Sequence, residues 1–260
     1  DELIKISEKN YVAYSTHSIF MIDGSQITRH VIVSKKKEKT QIEDATEHNI
    51  VKEEVIYNAM GFSYFESLKV KNIVFEGWKD EKLFKTAIKT LPDSYKNLKN
   101  IYKDVGICNS RGVKGVKAVS SLLKLANREI VIVSDNDNPA KEHKNQFVED
   151  HCHGKWLMYS DVDANLNVVT GEDFVKNDLF IKAIKKIKKD YSLQVDIDEK
   201  NFINKNKIVV IKKWLNDNSV EEKEKADLLD EIKNYVFEDL KITDIEDNYF
   251  EFINKLSKYI

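Results

Sequence analysis

IVFEGWKD (residues 73–80) and REIVIVSDND (residues 128–137) decide how this chain reads. In each, an apolar run of strand length ends abruptly in acid, Glu76 in the first and Asp135 and Asp137 in the second. Gly77 lets the backbone turn tightly behind Glu76. Asp80 then falls four residues on, in the first turn of the next helix, so that Glu76 and Asp80 can face one point. Asp135 and Asp137 are two residues apart and share one side of an extended chain.

Outward from these stretches, strand and helix signals alternate. VKNIVFEG reads as strand, KDEKLFKTAIKTL as amphipathic helix, DVGICNS as strand, VKGVKAVSSLLKLA as helix and REIVIVSDND as strand. That order is a parallel α/β unit with right-handed crossovers, whose strands end along one edge, where a ligand site belongs. A further strand is expected over 155–160 and a long helix over 172–191, and residues 204–260 read as several charged amphipathic helices. Before Val70 the pattern differs. YVAYSTHS (11–18) reads as a buried strand, ITRHVIVSK (27–35) as a half-exposed strand and 49–65 as a helix, a set with too few strands to complete a sheet.

Converging carboxylates repel one another in a partly dry cleft, so such a cluster needs a compensating cation, and an all-oxygen ligand set suits Mg²⁺ or Mn²⁺ rather than zinc. Any one strand-end acid is more simply a helix cap or a solvated turn residue. The joint arrangement, an acid-Gly-acid element followed by two βα units and an apolar strand ending in Asp-x-Asp, argues for a site.

Composition sets the frame. The chain has 260 residues, 42% of them hydrophobic, enough for one large or two small domains. Lys plus Arg at 42 nearly cancel Asp plus Glu at 44, so phosphate contacts must come from local patches. Cys108 and Cys152 form no CxxC pair, which suits a reducing compartment, and no run has the length or apolarity of a membrane span or an export signal; the cytoplasm is the expected location.

Glu76-Gly77 together with SDND at 134–137 resembles the two signature motifs of the Toprim domain shared by topoisomerases, primases and some nucleases. YSTHS, with His17, resembles the switch-histidine strand that ends an ABC-type ATPase core. Their order is similar to that of the overcoming-lysogenization-defect (OLD) nucleases, which include the nuclease of Gabija-type phage defence and some retron effectors. The resemblance covers about residues 11–190. It implies a Rossmann-like parallel sheet flanked by helices, with the end of an ATPase over 1–66, Toprim over 67–200 and a helical part over 201–260. It further implies two divalent ions clamping the attacking and leaving oxygens of a phosphodiester displacement. Glu76 would then be a metal ligand and general base, Asp135 and Asp137 metal ligands, and Asp80 support for the first ion. Glu172 in TGEDFV matches the family's later acid, with Asp173 as its near competitor, and Lys207 or Lys205 stands for the family's downstream lysine. Ser134 is placed to touch an ion or water.

The chain departs from the family by lacking a GxxxxGK[ST] loop and an apolar strand ending in Asp-Glu ahead of YSTHS. It is therefore not expected to hydrolyse ATP alone. His17 lacks its partners here, ATP enters only through a region these residues do not contain, and the expectation is a carboxyl-terminal part of a longer ATPase-nuclease. GVKGVK (112–117) reads as a glycine turn and helix start.

Other features have plainer readings. Adjacent ligands in HCH (151–153) cannot easily share one tetrahedral zinc. Asp161 and Asp163 read as a solvated turn, or as replacements for Glu172 should it prove remote. The run Lys182, Lys185, Lys186, Lys188 and Lys189 is either a solvated face or a phosphate track. Leu228, Leu229, Ile232, Val236 and Phe237 have the spacing of a core-packing helix or a dimer interface. The expected function is a metal-dependent DNA endonuclease in an anti-phage system, working as a homo-oligomer with a defence partner, protein or RNA. An RNA substrate and a non-catalytic partner-binding platform are the alternatives.

Overall fold

The computed structural model describes residues 2–15, 29–36, 39–44, 68–203 and 205–260. The chain divides into two compact units, Asp1–Ser67 and Leu68–Ile260.

In the first unit, a short helix Glu2–Ser7 (α1) precedes a hairpin of Val31–Lys36 (β1) and Lys39–Asp44 (β2), antiparallel with Val33 opposite Ile42. Of the strand expected over 27–35, residues 31–35 are strand, Arg29 and His30 are not, and residues 27–28 lie outside the described residues. The strand expected over 11–18 does not form where it can be followed: residues 11–15 have no regular structure and Tyr11 is exposed. A short apolar run makes a strand only where a neighbour completes its ladder, and no described strand lies beside this one. His17 and the helix expected over 49–65 lie outside the described residues.

The second unit is α/β. Its strands are Lys71–Phe75 (β3), Val105–Asn109 (β4), Glu129–Ser134 (β5) and Lys155–Met158 (β6), all parallel, in the order β4-β3-β5-β6. Ile73 sits between Ile107 and Val131, and Phe75 between Asn109 and Val133. Both faces of β3 and β5 are covered, which is why their apolar runs are continuous instead of alternating. Ile73, Phe75, Val131, Val133 and Leu157 belong to the larger core. It also takes Leu83 and Phe84 of Trp78–Lys89 (α2) and Tyr102 of Leu98–Tyr102 (α3). On the opposite face, buried Val74, Ile132 and Trp156 meet the helices Val116–Leu125 (α4) and Asn138–Glu149 (α5), with Trp156 edge-on to Phe147 at 5.3 Å.

Beyond β6 come a one-turn helix Tyr159–Val162 (α6), then Asn177–Asp190 (α7), Lys207–Asp217 (α8), Glu222–Glu238 (α9) and Asp247–Leu256 (α10). Phe180, Ile211, Ile232, Phe237 and Ile253 all enter the same core as the sheet. The helix expected from 172 begins only at Asn177. Residues Gly171–Phe174 form a 3-10 turn, tied down because Asp173 Oδ2 accepts from the amide of Val169 at 2.9 Å. Among the described residues no helix is long and apolar enough to cross a membrane.

The chain leaves β3 toward β4 on one side, then crosses back over β3 to β5 and continues to β6 on the other. The crevice between the carboxyl ends of β3 and β5, where connections diverge, is therefore the open part of the strand-end edge.

Candidate functional site

Glu76 follows the last residue of β3 and its backbone is clamped from both sides. Its amide donates to Val133 O at 3.1 Å, and its carbonyl accepts from Gly112 N at 2.7 Å and from Ser110 Oγ at 3.2 Å. Gly112, at φ +101°, supplies the left-handed turn that brings its amide to Glu76 and starts the helix turn ahead of α4. The Glu76 side chain is directed into the crevice, where Oε2 is buried without a hydrogen-bond partner. Burial, with Asp80 and Asp137 next in effect, lifts its carboxyl from 4.5 to about 7.

Asp80 lies in the first turn of α2 and accepts a hydrogen bond from Tyr159 Oη at 2.9 Å. Tyr159 packs edge-on to Phe174 and Phe252 at 5.2 and 5.3 Å, and Phe174 lies 4.6 Å from Tyr249. This aromatic layer keeps water from one side of Asp80, and burial followed by the charge of Glu172 lifts its carboxyl to about 6. Gly171 closes the other side so tightly that a Cβ there would stand 2.0 Å from Asp80 Oδ1.

Past the end of β5 the chain bends at Asn136 and Asp137, and the side chains of Asp135, Asn136 and Asp137 find separate partners. Asn136 is a staple. Its amide and Nδ2 donate to Val169 O and Val168 O at 2.7 and 2.6 Å, and its Oδ1 accepts from Ser160 N at 3.0 Å. Asp135 Oδ1 accepts from Gly171 N at 3.1 Å. Burial raises the Asp135 carboxyl well above its ordinary value, as do, in falling order, Asp80, Glu172, Glu76 and Asp137. Asp137 also caps α5, accepting from Ala140 N at 2.8 Å. Ser134 is spent on packing, accepting from Trp156 Nε1 at 2.8 Å.

Glu172 is 5% exposed and is met by Lys233 of α9, Nζ to Oε1 2.6 Å. The pull of Glu172, Asp135 and Asp80 outweighs desolvation and raises the Lys233 ammonium above its ordinary value. Lys79 to Asp230 at 3.5 Å and Lys82 Nζ to Glu238 O at 2.5 Å tie the rest of α9 to α2. Lys233 was not picked out by the sequence reading. Its signal was there: with Leu229 and Phe237 four residues to either side, it lies on the apolar stripe of an amphipathic helix.

The structure thus brings Glu76, Asp80, Asp135, Asp137 and Glu172 into one electrostatic cluster and places the other candidates elsewhere. Lys207 is buried against Asp173, its amide on Asp173 Oδ1 at 2.9 Å and its Nζ on Asp173 O at 3.1 Å, and Lys205 is exposed. Asp161 pairs with Lys144 and Asp163 with Lys255, both at 2.5 Å. In the lysine run, Lys188 pairs with Asp196 at 2.5 Å and Lys186 lies 4.7 Å from the Tyr235 ring centre. His153 Nε2 is 2.6 Å from Arg128 O.

Among the described residues no three His, Cys, Asp or Glu side chains stand in a preformed metal cage. Asp80, Asp135, Asp137 and Glu172 each rest on a protein donor, which is how clustered acids are held without a cation. Glu76 Oε2 has no such donor. A buried, donor-free carboxylate oxygen amid four further acids fits a hard, oxygen-seeking divalent ion such as Mg²⁺ or Mn²⁺. Comparison of the chain with protein-family models, with curated proteins and with solved structures gives no match.

Proposed function

We propose that the Leu68–Ile260 unit is a Toprim-type domain that hydrolyses phosphodiester bonds with divalent ions, most directly in DNA, as the resemblance to OLD nucleases implies. The observation that carries this reading is the meeting of five carboxylates at the β3/β5 crevice with one oxygen, Glu76 Oε2, buried and unpartnered. Glu76, Asp80, Asp135, Asp137 and Glu172 would hold Mg²⁺ or Mn²⁺. When bound, such ions polarise the phosphate and stabilise the oxygens entering and leaving phosphorus.

The protein's own groups have separable tasks. Glu76 Oε2, the carboxylate oxygen with no protein donor, is the one left for a divalent ion, whose charge would hold this carboxyl ionised although burial alone lifts it to about 7. Tyr159 and Gly171 N orient Asp80 and Asp135. The aromatic layer excludes water from behind them. Lys233 brings a positive charge to the cluster and is the lysine placed to oppose charge gathering on a phosphate. Coupling to an ATPase and a part in phage defence belong to the same proposal and rest on YSTHS, whose His17 lies outside the described residues.

The test is cleavage of supercoiled plasmid and of a structured RNA by the chain in Mg²⁺, Mn²⁺ or EDTA, beside Glu76→Gln, with metal binding followed by calorimetry. Metal-dependent cutting that Glu76→Gln abolishes supports the reading and chooses between DNA and RNA. A folded protein that neither cuts nor binds metal leaves a partner-binding platform in its place.

A further inference from the structure

The chain carries a formal net charge of −2, yet one cavity is walled by cations with no acidic residue among those lining it. It lies between α2 and α3, measures about 610 Å³, and is lined by Lys85, Lys89, Lys99 and Lys103 over Ile88 and Tyr102. Glu81 holds Lys85 at 2.5 Å. Lys89, Lys99 and Lys103 have no ion-pair or hydrogen-bond partner for their side chains among the described residues. Three unpaired like charges around one cavity repel, and a polyanion relieves them. The floor is apolar, because Tyr102 turns its hydroxyl away to Ile253 O at 2.6 Å. An apolar floor beneath a cationic rim suits a nucleotide, which brings a flat base and a phosphate together.

This cavity shares a helix with the carboxylates. Trp78, Lys82, Lys85 and Lys89 follow at spacings of four, three and four residues along one face of α2, opposite buried Leu83, Phe84 and Ala87. Asp80 is in the first turn of that helix, and Trp78 at its start leaves 43% of its surface exposed two residues from Glu76. From Trp78 to Lys89 the helix rises roughly 16 Å, a few nucleotides of extended strand. Lys82 is spent on Glu238 O and Lys85 on Glu81, so the charge along the path comes from Lys89, Lys99 and Lys103.

We propose that the cavity takes a nucleotide of an unpaired stretch of substrate, which passes from the carboxylates over Trp78 and along the lysine face of α2. The proposal rests on the nuclease reading and narrows it to single-stranded nucleic acid, since a duplex offers no free base to a cavity of this size.

Binding of a fluorescein-labelled oligothymidylate and of a duplex to the whole chain, by anisotropy in EDTA, tests it without metal or cutting. The variants are the combined Lys89→Gln, Lys99→Gln and Lys103→Gln, Trp78→Ala, and a charge-matched control of Lys182→Gln, Lys185→Gln and Lys189→Gln on α7. We expect the single strand to bind more tightly than the duplex. The cavity variant should lower the slope of log affinity against log salt by about 2, from roughly 0.7 for each lysine lost. Trp78→Ala should weaken binding on the order of tenfold, the worth of one stacked base, and the control should bind as wild type does. A cavity variant indistinguishable from the control, or a preference for duplex, overturns the proposal even if metal-dependent cutting is seen. Strand binding lost with the cavity lysines in a chain that never cuts supports the strand site while ending the nuclease reading.

Discussion

Lys233 reaches Glu172 across 2.6 Å from a helix to a 3-10 turn, and it does so beside Asp80 and Asp135, whose charges it also feels. Lys233 brings a positive charge directly to a cluster of five acids. Replacing it by an apolar side chain, Lys233→Met, leaves Glu172 buried and unpaired. The expected loss is roughly 2 to 3 kcal/mol of stability, at the low end for removing one partner of a buried pair because Lys233 keeps some contact with water. Urea unfolding in EDTA measures it. Mg²⁺ should restore more of the loss in the variant than it adds to wild type, and equal unfolding midpoints in EDTA would show the pair to be ornamental.

The acids also set a pH dependence whose sign is fixed. Glu76 is raised from 4.5 to about 7 and Asp80 from 3.8 to about 6, so between those values the folded protein holds protons that the unfolded chain has released. Their contribution to stability is complete below the unfolded values and is lost as pH rises toward 7. In EDTA the protein should therefore melt at a higher temperature near pH 5.5 than near pH 7.5, apart from the titration of groups elsewhere. A divalent ion favours the ionised acids, so Mg²⁺ should raise the melting temperature at pH 7.5 and do little at pH 5.5. Glu76→Gln should flatten the EDTA profile; an unchanged profile would remove Glu76 as its source.

Two glycines separate crowding from backbone strain. At Gly171 a methyl group would stand 2.0 Å from Asp80 Oδ1 and 3.1 Å from Tyr159 Oη, so Gly171→Ala must push Asp80 off its hydrogen bond. At Gly112 nothing lies within 4 Å, and only the φ of +101° resists a side chain. Gly112→Ala should cost roughly 1 to 3 kcal/mol, since φ +101° with ψ 164° is a region that glycine alone enters easily, and leave the metal affinity of folded protein near that of wild type. Gly171→Ala should weaken metal binding at least as visibly as it lowers stability. Calorimetric titration with Mn²⁺ decides, and equal affinities for the two variants would break the link between Gly171 and Asp80.

Lys207 and Lys233 are distinguishable by what they touch. Lys207 is buried on the carbonyl of Asp173, and Asp173 in turn holds the amide of Val169. Lys207→Met is expected to loosen that turn, at a cost of about 1 to 2 kcal/mol for a lost charged hydrogen bond, and to leave the metal affinity of folded protein near that of wild type. Metal binding abolished in folded Lys207→Met would return that lysine to the site.

The strand ends were legible because an apolar run that stops in acid carries its own register: Glu76, Asp135 and Asp137 could be placed on one edge without knowing the strand order. The helix Asn138–Glu149 went unread because it is thinly apolar, with Ala140 and Phe147 its buried residues, although Asp137 and Pro139 spelled its start. The long helix was read too early because Glu172 belongs to a turn fixed by Asp173, a contact with no periodicity. Tyr159, Gly171 and Lys233 complete the site from distant parts of the chain, and nothing local announces such a meeting. Lysine is abundant here, so a single lysine stands out only when its place on an apolar stripe is weighed against its charge.

The order in which the chain is made adds a consequence to the placement of α9. Synthesis runs from amino to carboxyl end, so a nascent chain that has emerged through α7 already contains all five acids but not yet Lys233. Until α9 docks, Glu172 lacks its countercharge and the crevice lacks the wall that Lys79 and Lys82 fasten. The countercharge is thereby made only after all five acids have been, and the charge of the crevice stays uncompensated until α9 docks.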